Sequence, residues 1–282
     1  MDDIPQNMNW KQMAKDIDCA AIIISACRRS GKTFLTRQIM YEIGKVHKPD
    51  LVILFSETAD FNDDFDYISP YYKYNRYDED VLAGIIEQQE KTMKIFRQQK
   101  KRNKNFNKTP AKIYIIFDDV AHDHTLFYSE AISKLFVLGR HINIGVVYLT
   151  QHLASISPKQ KKNADIMITF RDPDIDNRKL LQNKFMTLTS LDRKNIPGYM
   201  DQCFDEPYKC ICICVYKIQN ADMLSDFIYT YKAPKNKPSF KLGQKQFWDK
   251  NMSLNMKQET IAGMGVKVSE KDIKSAFSKK RK

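Results

Sequence analysis

The chain has 282 residues, 43% hydrophobic and 28% charged, with a formal net charge of +12 and six cysteines. A chain of this size buries enough apolar surface to fold without disulfides or a structural metal, which sets aside the small scaffolds that depend on them. No run approaches the roughly 20 apolar residues that cross a bilayer, and Met1-Asp2-Asp3 lacks the basic-then-apolar start of a secretory signal, so an intracellular protein without a membrane partner is expected.

Short apolar, β-branched runs alternate with longer amphipathic stretches, which predicts an α/β fold with a mostly parallel central sheet flanked by helices. Ala21–Ser25 (AIIIS) reads as a strand buried on both faces, and residues 33–46 as a helix with Leu35, Ile39 and Ile43 on one side. Pro49-Asp50 breaks that helix ahead of a second buried strand at 51–55 (LVILF). Residues 56–77, polar and tyrosine-rich, predict a loop with room for a short helix or hairpin.

A long helix follows over 80–101, its stripe formed by Leu82, Ile85, Ile86, Gln89, Met93 and Phe96. Acids at its start and bases at its end complement the helix dipole. Three more buried strands are expected at 113–117 (IYIIF), 145–149 (GVVYL) and 166–170 (IMITF), with a helix over 123–138 between the first two. Residues 178–195 predict another helix, stopped by Pro197-Gly198.

Residues 208–216 read as a last strand in which Cys210, Cys212 and Cys214 alternate with Ile211, Ile213 and Val215, placing the three thiols on one face. That alternation suits a sheet edge. The cysteines lack the paired knuckles of a zinc site and are expected to be reduced and buried. The division expected is a core over 1–200, an edge strand and helix over 201–232 packed on it, and a basic, partly flexible tail over 233–282.

The decisive segment is Ser25-Ala26-Cys27-Arg28-Arg29-Ser30-Gly31-Lys32-Thr33-Phe34, set between the first buried strand and the first long helix. Strand, tight loop, then Gly-Lys-Thr opening a helix is the context of a phosphate loop, in which backbone N–H groups and the helix N-terminus hold the phosphates of ATP. Ala26 to Phe34 are therefore the expected nucleotide-binding residues, with Lys32 on the β- and γ-phosphates and the Thr33 hydroxyl on Mg²⁺. Ala26 stands where such loops usually open with glycine. Arg28 is assigned to charge developing on the γ-phosphate; the competing role for Arg28 and Arg29 is outward, toward DNA or a neighbouring subunit.

Ile113–Asp118 with Asp119 is an apolar strand ending in two carboxylates, the Walker B form. Asp118 would hold Mg²⁺ and Asp119 would orient and deprotonate the attacking water. The second acid is usually Glu, so Glu57 and Asp123 are reserves. Gln151, at the tip of the strand beside Walker B, is placed to sense the γ-phosphate. Arg140 suits an arginine finger offered to the next subunit, with Arg171 as runner-up.

The positive charge is concentrated: residues 91–108 hold eight basic side chains and no acid, and the chain ends in Ser278-Lys279-Lys280-Arg281-Lys282. Such clusters suit a polyanion, since each phosphate neutralised releases a counterion.

The order SACRRSGKT, IYIIFDDV, GRHINIGVVYLTQH and NADIMITFR, spanning about residues 18–200, resembles the FtsK–HerA superfamily of DNA-pumping ATPases. Within it the sequence is most similar to the poxvirus-type genome-packaging ATPases of large DNA viruses. The resemblance implies a RecA-like P-loop NTPase core with the catalytic acid on the strand beside the P-loop strand. It further implies a homo-oligomeric ring (pentamer or hexamer), double-stranded DNA as partner, a capsid or portal component, and work in the cytoplasm or nucleus of an infected cell or in association with the virion. A phage terminase would carry a nuclease domain, for which 201–282 is too short and too basic. Two other readings stay open: an ATP-dependent DNA-binding or assembly subunit with little hydrolysis, supported by Asp119 in place of Glu, and a small-molecule P-loop kinase.

Overall fold

The computed structural model describes residues 5–59, 61, 63–120, 128–186 and 192–249. These residues build one nine-stranded sheet. In chain order the strands are β1 (Gln6–Asn7), β2 (Ala21–Ser25), β3 (Leu51–Ser56), β4 (Lys73–Tyr74), β5 (Ile113–Asp118), β6 (Ile144–Thr150), β7 (Ile166–Phe170), β8 (Lys209–Cys214) and β9 (Ile228–Lys232). Across the sheet the order is β1-β9-β8-β7-β2-β6-β5-β3-β4. The block from β7 to β4 is parallel, and β8 alone runs against its two neighbours.

Alternate residues along the central strands feed two separate apolar layers, which is why these runs read as unbroken hydrophobic stretches. Ile22, Ile24, Leu54 and Ile116 face a layer that includes Leu35, Ile39, Met40 and Ile43 of helix α2 (Lys32–His47) and Trp10 and Met13 of α1 (Trp10–Asp16). Ile23, Ile53, Phe55, Ile115 and Phe117 face the other, with Leu82, Ile85, Ile86 and Phe96 of α3 (Glu79–Arg102) and Ile132 and Leu135 of α4 (Glu130–Leu138). Gln89, the polar break in the α3 stripe, is fully buried and donates to the Ala111 carbonyl at 2.7 Å. That hydrogen bond satisfies the amide's donor end and ties α3 to the start of β5, while Gln89 Oε1 stays buried without a partner.

Several expectations are corrected. The 208–216 strand is not an edge: β8 pairs with β7 on one side and β9 on the other. Its alternation sorts Cys210, Cys212 and Cys214 into one apolar layer and Ile211 and Ile213 into the other, so both faces are dry. The helix expected over 178–195 is divided among α6 (Ile175–Leu181), reached after the short α5 (Pro158–Lys162), a π turn (Gln182–Met186) and α7 (Asp192–Cys203). Pro197-Gly198 does not stop α7. Pro197 lies inside the helix, sixth of its twelve residues, at the loss of one backbone hydrogen bond, and Ile196, Tyr199, Met200 and Cys203 beside it form a buried stripe. The first part of the helix expected over 123–138 lies outside the described residues, and α4 is its second part.

The loop after β3 is more deeply packed than its composition suggests, burying Phe65, Tyr67 and Ile68 before β4 joins the sheet beside β3. Residues 233–249, assigned by composition to a flexible tail, lie across this loop. Leu242 N–H donates to the Tyr67 carbonyl at 2.9 Å and Gln244 N–H to the Asp50 carbonyl at 2.8 Å. Phe240 stacks on Tyr67 with ring centroids 4.8 Å apart. The aromatic and leucine side chains dispersed among the lysines and prolines are what hold this strap. The last expected stretch, 250–282, lies outside the described residues. No helix among the described residues is long and apolar enough to cross a membrane.

Candidate active site

Parallel strands all point their carboxyl ends the same way, and ligands of such sheets gather there. At that end β2, β6, β5 and β3 finish on Ser25, Thr150, Asp118 and Ser56, a row of polar tips on otherwise apolar strands. The Walker B strand does not lie beside the P-loop strand, as the resemblance implied. β6 runs between them, pairing with β2 on one side and β5 on the other. Its tip residue, Gln151, is thereby set between the phosphate loop and the two acids.

The loop leaves β2 with Ala26 buried, its N–H donating to the Thr150 carbonyl at 3.0 Å. Arg29 takes a φ of 61° and Gly31 a φ of 95°, left-handed conformations that let the chain double back before α2. The loop makes that turn three and five residues past Ala26, so alanine at its opening is no obstacle. Lys32 is buried, and its Nζ donates to the Ala26 carbonyl at 2.7 Å. The same ammonium lies 3.7 Å from Asp119 Oδ1, to which Gln151 Nε2 also donates at 3.2 Å. Asp119 itself sits at a φ of 48°, a strained backbone that turns its carboxylate into the cleft.

Asp118 is buried and accepts from Ser56 Oγ at 3.3 Å. Burial, with the neighbouring Asp119 charge second, pushes its carboxyl up to about 7. Two adjacent carboxylates, one of them buried, call for a cation, and a hydroxyl (Thr33) with a carboxylate (Asp118) is an oxygen donor set suited to Mg²⁺. The Ser30 hydroxyl is buried without a hydrogen-bond partner, in the loop that would surround a phosphate. These features fit a nucleotide with its metal.

Cys27, Arg28, Arg29, Ser30, Gly31, Lys32, Thr33 and Phe34 line one cleft of about 580 Å³ together with Asp119, Gln151 and the reserve acid Glu57. Asp123 lies outside the described residues. Arg140 is not in this cleft. It precedes β6, and the seven residues of that strand put roughly 20 Å between it and the phosphate loop of the same subunit. It lines instead a cavity of about 430 Å³ at the amino end of the sheet, with Lys162 and Asp165. Arg171 follows β7 on the phosphate side but outside the cleft, largely exposed and 3.9 Å from Asp201.

Sequence reasoning missed Ser56, Thr58, Asp64, Asp172 and Tyr208. Ser56 was detectable as the polar end of LVILFS. Asp172 accepts from the Cys27 thiol at 3.4 Å; burial, then the Asp172 charge, raises that thiol. Tyr208 lines the cleft from a loop 177 residues beyond Gly31, a distance no local pattern bridges.

The family described as Poxvirus A32 protein matches residues 11–198, a span that holds every strand of the parallel block and both Walker segments. The chain belongs to the poxvirus A32 protein family. Among relatives of this A32-family chain, uncharacterized protein L437 of Acanthamoeba polyphaga mimivirus is 26% identical over 230 residues, 81% of this chain and 77% of that one. The fold is shared with the conjugation coupling protein TcpA of pCW3, at a TM-score of 0.55 and 14% identity, over 84% of this chain and 65% of TcpA. The genome packaging NTPase B204 of Sulfolobus turreted icosahedral virus 2 aligns over 80% of the A32-family chain and 100% of its own, at a TM-score of 0.49 and 17% identity.

Proposed function

We propose that this chain is the ATP-hydrolysing subunit of a viral genome-packaging motor, moving double-stranded DNA into a capsid. The observation that carries the reading is the convergence of Lys32 and Gln151 on one oxygen of Asp119 at the mouth of a phosphate loop. Membership of the A32 family supplies the viral packaging context.

Lys32 would bind the β- and γ-phosphates, and Thr33 and Asp118 would hold Mg²⁺. The metal, when bound, neutralises phosphate charge. Asp119 takes the proton of the attacking water, Gln151 holds that carboxylate in register, and Arg28, exposed on the loop, reaches the γ-phosphate. Arg140, too far away to serve its own subunit, acts on a neighbour's nucleotide in a homo-oligomeric ring. The exposed bases of α3 grip the DNA backbone.

Steady-state ATP hydrolysis with and without long double-stranded DNA, with Lys32→Ala as the blank, tests the reading. Stimulation by DNA that fades with added salt supports it. Turnover indifferent to DNA sinks the motor and leaves the kinase, whereas ATP-dependent assembly without turnover favours the assembly subunit.

A further inference from the structure

Tyr208 occupies an unusual position for a tyrosine. It precedes β8, whose antiparallel course brings its first residues to the same end of the sheet as the phosphate loop. From β2 to β8 is two strand spacings, about 10 Å. Tyr208 holds a φ of 62° and is 67% exposed. A bulky side chain in the left-handed region is an outlier. Here the conformation is fixed by β8, paired on both flanks, and by the turn in which Lys209 N–H donates to the Glu206 carbonyl at 3.3 Å.

The ring is neither packed into the core nor pointed away from the cleft. A Cβ placed on Gly31 would lie 3.6 Å from Tyr208 Cδ1, so the ring abuts the phosphate loop and lines the cleft that holds Lys32 and Asp119. Phe34, in the first turn of α2, lines the same cleft. An exposed aromatic face held in strain beside a phosphate site is the arrangement that ligand clamps retain. The α-phosphate and ribose of a nucleotide would carry its base sideways from the loop by about this lateral distance.

We propose that Tyr208 stacks on the nucleobase of bound ATP, a role that rests on the ATP-binding reading above. Stacking uses the π-face that every base shares, so Tyr208 adds affinity for base-bearing nucleotides over bare phosphate and discriminates little between ATP and GTP. Lys32 and the loop account for the phosphates.

Calorimetric titration of the full chain with Mg²⁺–ATP, Mg²⁺–GTP and inorganic tripolyphosphate tests this. Tyr208→Ala should lose about tenfold in affinity for both nucleotides, the usual effect of removing one stacking partner, and keep its affinity for tripolyphosphate. Tyr208→Phe should bind as wild type. Tyr208→Gly relieves the positive φ, so it should keep its melting temperature and still lose nucleotide affinity as the alanine variant does. Unchanged ATP binding by Tyr208→Ala, or an equal loss for tripolyphosphate, would overturn the stacking role while leaving the phosphate loop intact. Wild-type protein that binds none of the three ligands would overturn both readings.

Discussion

Gln151 Nε2 donates to Asp119 Oδ1 at 3.2 Å, joining the tip of β6 to the residue that follows β5. Lys32 Nζ approaches the same oxygen at 3.7 Å, so one carboxylate meets both Gln151 and the loop lysine. A γ-phosphate would compete for that ammonium and free Asp119 to face a water. Asp119→Asn keeps the shape and removes the base. It should still bind ATP, while turnover falls about a hundredfold or more, the usual contribution of a positioned general base. Calorimetry beside a phosphate-release assay measures both. Near-normal turnover would move the base to Glu57, which lines the same cleft.

Gln151 is predicted to act on turnover rather than on binding, because its described bond goes to Asp119. Gln151→Ala should lower kcat about tenfold with little change in KM, the pattern of an interaction made in the transition state alone. Gln151→Glu sets a like charge beside Asp119 and should be slower still. A rise in KM at constant kcat would instead make Gln151 a ground-state phosphate ligand.

The longer strands of the parallel block were legible because they are buried on both faces and rich in β-branched residues, four of them closed by a polar tip; β4, two half-buried residues, carries no such signal. The phosphate loop was legible because its chemistry is local, from Ala26 to Phe34. What composition hid was long-range. β8 alternates because two apolar layers divide its cysteines from its isoleucines, and residues 233–249 look polar although Phe240, Leu242 and Phe247 anchor them. The place of β6 between β2 and β5 is a property of sheet order, which no single segment states. Tyr208 reaches the cleft, and Asp172 the Cys27 thiol, through that same order.

Arg140 lies at the amino end of the sheet, so any catalytic part it plays is on another subunit. Arg140→Ala should bind ATP normally and lose hydrolysis. Mixing it with Lys32→Ala should restore part of the activity, since each ring then contains interfaces with an intact loop and an intact finger. Titrating the two inactive proteins together and following phosphate release checks this. No recovery at any ratio, with assembly intact, would pass the role to Arg171.

Lys94, Arg97 and Lys101 project from one exposed side of α3, three and four residues apart. Replacing all three with glutamine should weaken binding to double-stranded DNA without affecting ATP affinity. Because each phosphate contact contributes about 0.9 to the salt slope, the slope of log affinity against log salt should flatten by about 3. Fluorescence anisotropy over a salt series reads it directly. An unchanged slope would mean that α3 faces away from the DNA.

Arg37, on α2 four residues after Thr33, is nearly fully buried and works as a clamp. Its NH1 donates to the Pro238 carbonyl at 2.9 Å, and its NH2 donates to the Asp64 carbonyl at 3.0 Å and pairs with Asp66. The guanidinium also lies 5.0 Å from the Tyr67 ring centroid. One planar fork thus joins the phosphate-loop helix, the loop after β3 and the 233–249 strap. An ammonium cannot reach these partners together, so Arg37→Lys loses at least one charge-assisted hydrogen bond, at a cost of about 1–3 kcal/mol. The protein should melt several degrees lower, and protease should cut first between 233 and 249 while the phosphate loop still binds ATP. Wild-type stability with an intact strap would show that Phe240 and Leu242, not Arg37, hold that segment down.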